Sequence, residues 1–83
     1  MTAVTVRFLG GLREDFGASP RTITLPEEAT LDELEPRLRE MGIDLDSREI
    51  IVTLNDRGLR QWPAERRLVA GDVVTVFPNI AGG

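Results

Sequence analysis

One capped amphipathic segment, set among short β-branched runs, limits what this chain can become. Thr30-Leu31-Asp32-Glu33 has the pattern of a capping box. The Thr30 hydroxyl can accept from the Glu33 N–H while the Glu33 carboxylate accepts from the Thr30 N–H. Leu31, Leu34, Leu38 and Met41 then fall on one stripe, and Gly42 is placed to end the helix. The spacing predicts a helix over 31–41. Pro36 conflicts with it, because a proline there lacks the N–H that would bond to Asp32 and its ring crowds the Asp32 carbonyl. A kink or a loosened first turn is expected. A helix with one apolar stripe must bury that stripe against other elements.

Those elements read as strands. Val4, Val6 and Phe8 alternate with Thr5, Arg7 and Leu9, which is period two and puts Val4, Val6 and Phe8 on one face. Gly10 and Gly11 break the strand. Leu12 and Phe16 allow one or two helical turns closed by Gly17. Arg21 to Leu25 is a second strand, stopped by Pro26. Ile50 to Leu54 is a third, followed by turn residues Asn55-Asp56-Arg57-Gly58 and a short edge strand near Leu59. Ala70-Gly71-Asp72 is a second tight turn. Val73 to Phe77 is the last strand, stopped by Pro78. With no repeat or linker, residues 1–77 read as one domain and 78–83 as a flexible tail. The fold class is α+β: a mixed sheet of four to five strands with one long helix packed on one face.

The reactive inventory is short. The sequence of 83 residues has no His, Cys or Tyr, and its ten basic residues are all arginine, so Lys is absent too. Thiol, Schiff-base and His-triad catalysis are excluded, as are Cys and His metal sites. Carboxylate acid/base chemistry and oxygen-ligand metal sites are what survive. The acidic start of the long helix (Glu27, Glu28, Asp32, Glu33) is read as complementing the helix dipole and not as a metal site. Neither a cofactor nor a metal is expected. A net charge of −4 argues against nucleic acid as the main partner. No basic region followed by an apolar run opens the chain, and no apolar run reaches membrane-spanning length, so the cytoplasm is the expected location.

Two features point outward. Leu9 has the opposite parity to Val4, Val6 and Phe8, and Phe77 the opposite parity to Val74 and Val76. With Leu59 they are expected to form an exposed apolar patch for partners. Trp62 beside Pro63 reads as a lid on the core edge, and Arg66-Arg67 as a solvated pair. After Pro78 the chain runs Asn79-Ile80-Ala81-Gly82-Gly83. Its two glycines have no Cβ and suit a narrow slot on another protein. A carboxylate on such a stalk is a good substrate for adenylation by ATP. The alternative is an ordinary terminus of small residues.

The opening strand VTVRFLG, then LREDFG, the capped helix TLDELEPRL, the segment VTLN, the run LVAGDVVTVFP and the ending AGG together resemble the MoaD/ThiS family of ubiquitin-like sulfur carriers, which have the β-grasp fold. The likeness covers nearly the whole chain. The short helix after the first strand and Phe77-Pro78 before the tail are closer to MoaD than to ThiS. The resemblance implies that an activating enzyme of the MoeB/ThiF type adenylates Gly83. Sulfur from a donor such as a cysteine desulfurase or rhodanese then replaces AMP, leaving a thiocarboxylate. A downstream enzyme accepts the sulfur, in molybdopterin synthesis or another pathway. Ala81 and Gly82 are implied to be needed for activation, and Leu9, Leu59, Phe77, Pro78 and Ile80 to meet partners. The chain is then a co-substrate and not an enzyme. Alternatives are a ubiquitin-like modifier conjugated through Gly83, and a β-grasp module that binds without covalent chemistry.

Overall fold

The structure, a computed structural model, describes residues 1–80. Five strands and one principal helix follow the expected order. They are β1 (Thr2–Phe8), α1 (Leu12–Phe16), β2 (Arg21–Leu25), α2 (Leu31–Glu40), β3 (Ile50–Leu54), β4 (Arg57–Gly58) and β5 (Val73–Pro78). The sheet order is β2-β1-β5-β3-β4. β1 and β5 are parallel, and the other pairs are antiparallel. This is the mixed sheet of the α+β class, with its first and last strands side by side at the centre.

Period-two alternation in β1 is realised in burial: Val4, Val6 and Phe8 are fully buried. From β5 come Val74 and Val76, and from α2 come Leu31, Leu34 and Leu38, all in the same core. Phe16 of α1 stacks on Phe8 with ring centroids 4.6 Å apart, which tethers the short helix to the end of β1. Met41 is the C-cap of α2 and only half-buried, so the helix ends one residue earlier than its apolar stripe.

The capping box forms, with the Thr30 N–H donating to Glu33 Oε1 at 3.3 Å. α2 runs on through Pro36 without interruption. Its start is held from outside the helix. The N–H groups of Leu31 and Asp32 donate to the carbonyls of Arg66 (3.1 Å) and Ala64 (3.2 Å), so two of the orphan donors of the first turn are satisfied by the 63–68 loop. That outside support offsets the single ladder bond removed by Pro36.

Leu59 departs from expectation. The edge strand is only Arg57–Gly58, after which the chain turns into a 3-10 segment, Leu59–Gln61. That turn drops Leu59 into the core, where it is 4% exposed. It therefore does not belong to a partner patch. The other departure is Arg66. It is no solvated loop residue: it reaches the buried carboxylate of Asp72. Arg67 does stay at the surface, facing Glu28 at 3.2 Å. Trp62 is the expected lid, half-buried against the core with its indole N–H donating to the Leu54 carbonyl.

Candidate functional site

The face of the sheet away from α2 is set by the strand register. Val52 pairs with Val76 on the core side, so Ile51 pairs with Phe77 and Thr53 with Thr75 on the other side. β1 adds Arg7 beside Thr75 and Thr5 beside Val73. Phe77 therefore faces away from the helix, as its parity predicts, and is half-buried beside Ile51. Leu9 is 40% exposed and continues β1 toward Phe77, its N–H donating to the Val76 carbonyl at 3.0 Å. These two apolar side chains lie at the same end of the central strand pair.

The chain leaves the sheet at that end. β5 includes Pro78, which is opposite Ile50 and only half-exposed. Asn79 is also fixed: its N–H donates to the Glu49 carbonyl at 2.9 Å and its side-chain amide to the Arg48 carbonyl at 3.1 Å. The ordered strand and its hydrogen bonds thus run two residues past 77. Gly10 lies close beneath Pro78. A Cβ on Gly10 would come within 3.3 Å of Pro78 Cγ, and Gly10 has φ +60°, so glycine is favoured there both by space and by backbone. Ile80 is 90% exposed. Ala81, Gly82 and Gly83 lie outside the described residues.

Two groups of residues went unread in the sequence. Ile51 and Thr75 belong to the sheet face away from α2, but their side is fixed only once β3 is paired with β5. Asp72, read as a turn residue, is 2% exposed and accepts from both Arg66 Nη groups (2.9 and 3.3 Å), the Val69 N–H (2.9 Å) and the Asn55 amide (2.9 Å). Burial alone would push its carboxyl up, but the hydrogen bonds from Arg66, Val69 and Asn55, with the charge of Arg66, hold it below its ordinary value. The Arg66 guanidinium also lies 4.5 Å from the Trp62 ring centroid, and Arg57 lies 4.7 Å from it. This cluster staples the start of β5 to the β3–β4 turn and serves the fold.

Among the described residues, no group of three or more carboxylates is arranged to hold a metal ion, and no helix is long and apolar enough to cross a membrane. A cavity of about 160 Å³ lies at the β3–β4 edge on the helix side, lined by Leu45, Ile50, Val52, Leu59 and Arg60 among others. Small-molecule sites usually take roughly 300 Å³ or more.

A mixed five-stranded sheet around one helix, its chain end leaving from the central strand beside an apolar face, defines a ubiquitin-like β-grasp domain. Solved structures agree. The fold matches a protein described as molybdopterin converting factor subunit 1 from Pyrococcus furiosus, with TM-score 0.70, 24% identity, and coverage of 96% of this chain and 100% of that one. It matches small archaeal modifier protein 1 of Haloferax volcanii with TM-score 0.69 at 17% identity, over 96% and 100% of the two chains. A complex of subunits 1 and 2 of the molybdopterin-converting factor from Helicobacter pylori gives TM-score 0.64 at 26% identity, over 99% and 100%. Comparison with curated proteins found no sequence match. The profile of the ThiS family matches residues 6–83, and the chain belongs to that family. It is thus a ubiquitin-like protein of the ThiS family.

Proposed function

We propose that the chain is a sulfur carrier whose working group is the carboxylate of Gly83. The observation that carries this reading is the family match, which runs to Gly83 and so includes the Ala81-Gly82-Gly83 ending. The sheet supports it. Strand β5 and Asn79 hold the chain up to the last described residues, and the apolar pair Leu9 and Phe77 stands at the exit. An activating enzyme of the MoeB/ThiF type docks on that face with Pro78 and Ile80, and the terminal residues enter its nucleotide site. The Gly83 carboxylate attacks the α-phosphate of ATP and pyrophosphate leaves. The persulfide of a cysteine desulfurase or rhodanese attacks the acyl-adenylate and AMP leaves; a thiol then cleaves the resulting acyl disulfide reductively, giving the thiocarboxylate. A downstream enzyme takes the sulfur to make molybdopterin or another sulfur-containing metabolite. The chain acts as protein co-substrate, in the ATP-containing cytoplasm.

The test is the intact mass of the protein purified from its native host, and of the protein incubated with ATP, activating enzyme and sulfur donor. The expected result is a C-terminal peptide heavier by one oxygen-to-sulfur exchange. Likeness to the Haloferax volcanii modifier favours one second reading, an isopeptide-forming modifier. The same experiment separates the two: a modifier appears as Gly83 joined to lysine amines of other proteins, with no thiocarboxylate.

A further inference from the structure

The outer sheet face carries one charge near its centre. Arg7 shares a row with Thr75 and Thr53, Val73 and Phe77 flank Thr75 along β5, and Ile51 pairs with Phe77. Every other ladder position on this face is neutral, although the chain as a whole has net charge −4. A lone cation there is therefore set against both its neighbours and the average of the molecule.

Arg7 is exposed but anchored. Its Nε donates to Thr75 Oγ1 at 2.9 Å, and Thr75 is 4% exposed. One edge of the guanidinium is thereby held against the sheet. Among the described residues neither Nη nitrogen has a hydrogen bond or ion pair. A planar guanidinium fixed on one edge presents its remaining donors as a fork that fits one carboxylate. Part of the ordering that docking needs is already in place.

We infer that this face docks against a partner surface that is apolar around a single Asp or Glu, whose carboxylate accepts from the Arg7 Nη groups while Phe77 and Ile51 fill the apolar contact. The partner is the activating enzyme, an assignment that rests on the carrier reading. The face is continuous with Phe77-Pro78 of β5, so an enzyme that holds the terminal residues lies against it. A nucleic acid does not fit, since it rewards several cations on a basic surface and this face has one on an acidic protein.

The experiment is ATP–pyrophosphate exchange by a MoeB/ThiF-type enzyme from the same organism, with wild-type, Arg7→Gln and Arg7→Glu carriers, alongside thermal melts. Arg7→Glu is expected to raise the KM for the carrier about tenfold or more, as reversing one side of a desolvated charge pair does, with kcat at saturation retained. Arg7→Gln should fall between and lose part of the salt dependence. Reversing one enzyme carboxylate to arginine should restore Arg7→Glu. If Arg7→Glu melts early, the Gln variant alone is read. A wild-type KM in the folded variants overturns the docking inference and leaves the carrier reading standing. Failure of every single reversal to rescue overturns the carboxylate assignment. No exchange with wild-type carrier overturns the carrier reading itself, and this inference with it.

Discussion

The guanidinium of Arg66 meets the carboxylate of Asp72 at 2.9 Å, and Asp72 is almost sealed from water. The pair joins the loop that caps α2 to the turn that starts β5. Asn55 extends it, donating to Asp72 and accepting from the Val73 N–H at 2.9 Å. The folded state holds the Asp72 carboxyl below its ordinary 3.8. Its proton is therefore bound more weakly folded than unfolded. Its contribution is full above the unfolded value and disappears as the pH falls through the lower folded one. Urea denaturation from pH 7 down to about 2.5 is expected to show that loss below 3.8. Asp72→Asn should lose roughly 1–3 kcal/mol at pH 7 and flatten the acid limb. An unchanged acid limb in Asp72→Asn would remove Asp72 from the balance.

Why this network was invisible in the sequence is instructive. Arg66 and Asp72 are six residues apart, and their meeting depends on the intervening turn, where the Asp72 N–H donates to the Val69 carbonyl. Local patterns carried the rest further. Parity placed Val4, Val6 and Phe8 inside and Phe77 outside, because each lies in a strand with one buried face. Leu59 lies in the core, against its strand-like pattern, because period two does not continue through a 3-10 turn. Arg7 shares the parity of Leu9, but its meaning comes from Thr75, sixty-eight positions away, once β1 lies parallel to β5. Non-local pairing is the part that a single sequence leaves open.

The core assignment yields a second prediction. Leu38 is fully buried on α2 and Leu59 nearly so. Leu38→Ala and Leu59→Ala should each lower stability by roughly 2–5 kcal/mol in chemical denaturation. That is a large part of a small domain's margin. Wild-type stability in Leu59→Ala, combined with weaker partner binding, would return Leu59 to the interface.

Gly10 leads to a third. A methyl group there would press on Pro78 Cγ at 3.3 Å from a backbone with φ +60°. Gly10→Ala should lower stability by about 1–2 kcal/mol through the left-handed backbone alone. It should also shift the amide resonances of Asn79 and Ile80, because Pro78 must move. Unmoved resonances at 79 and 80 would show that Gly10 does not set the chain exit.

Phe77 tests the partner face without Arg7. The ring is half-buried beside Ile51 and outside the core cluster. Phe77→Asp would force a carboxylate to be desolvated at an apolar contact. Affinity for the activating enzyme should fall about thirtyfold or more, the range of an interface hot spot, in a protein that still folds. Titration calorimetry with circular dichroism on the same sample reads both, and unchanged affinity would take Phe77 out of the interface.

The terminus is the most exposed claim of the carrier reading. An adenylating site must admit a thin chain end and bring one carboxylate in line with the α-phosphate. Adding a residue after Gly83 displaces the reactive carbon by up to about 3.6 Å, and deleting Gly83 withdraws it by as much. A misplacement of about 1 Å can lower a rate on the order of a hundredfold. Gly82→Val and Gly83→Val place a branched side chain where this chain's Gly-Gly ending has only hydrogen. All four changes lie beyond the core cluster, so the melting temperature should be that of the wild type. Each should abolish pyrophosphate exchange. Retained exchange in the extended or shortened chain would leave neither a carrier nor a covalent modifier as an account of this protein, and the β-grasp domain would then act through its surface alone.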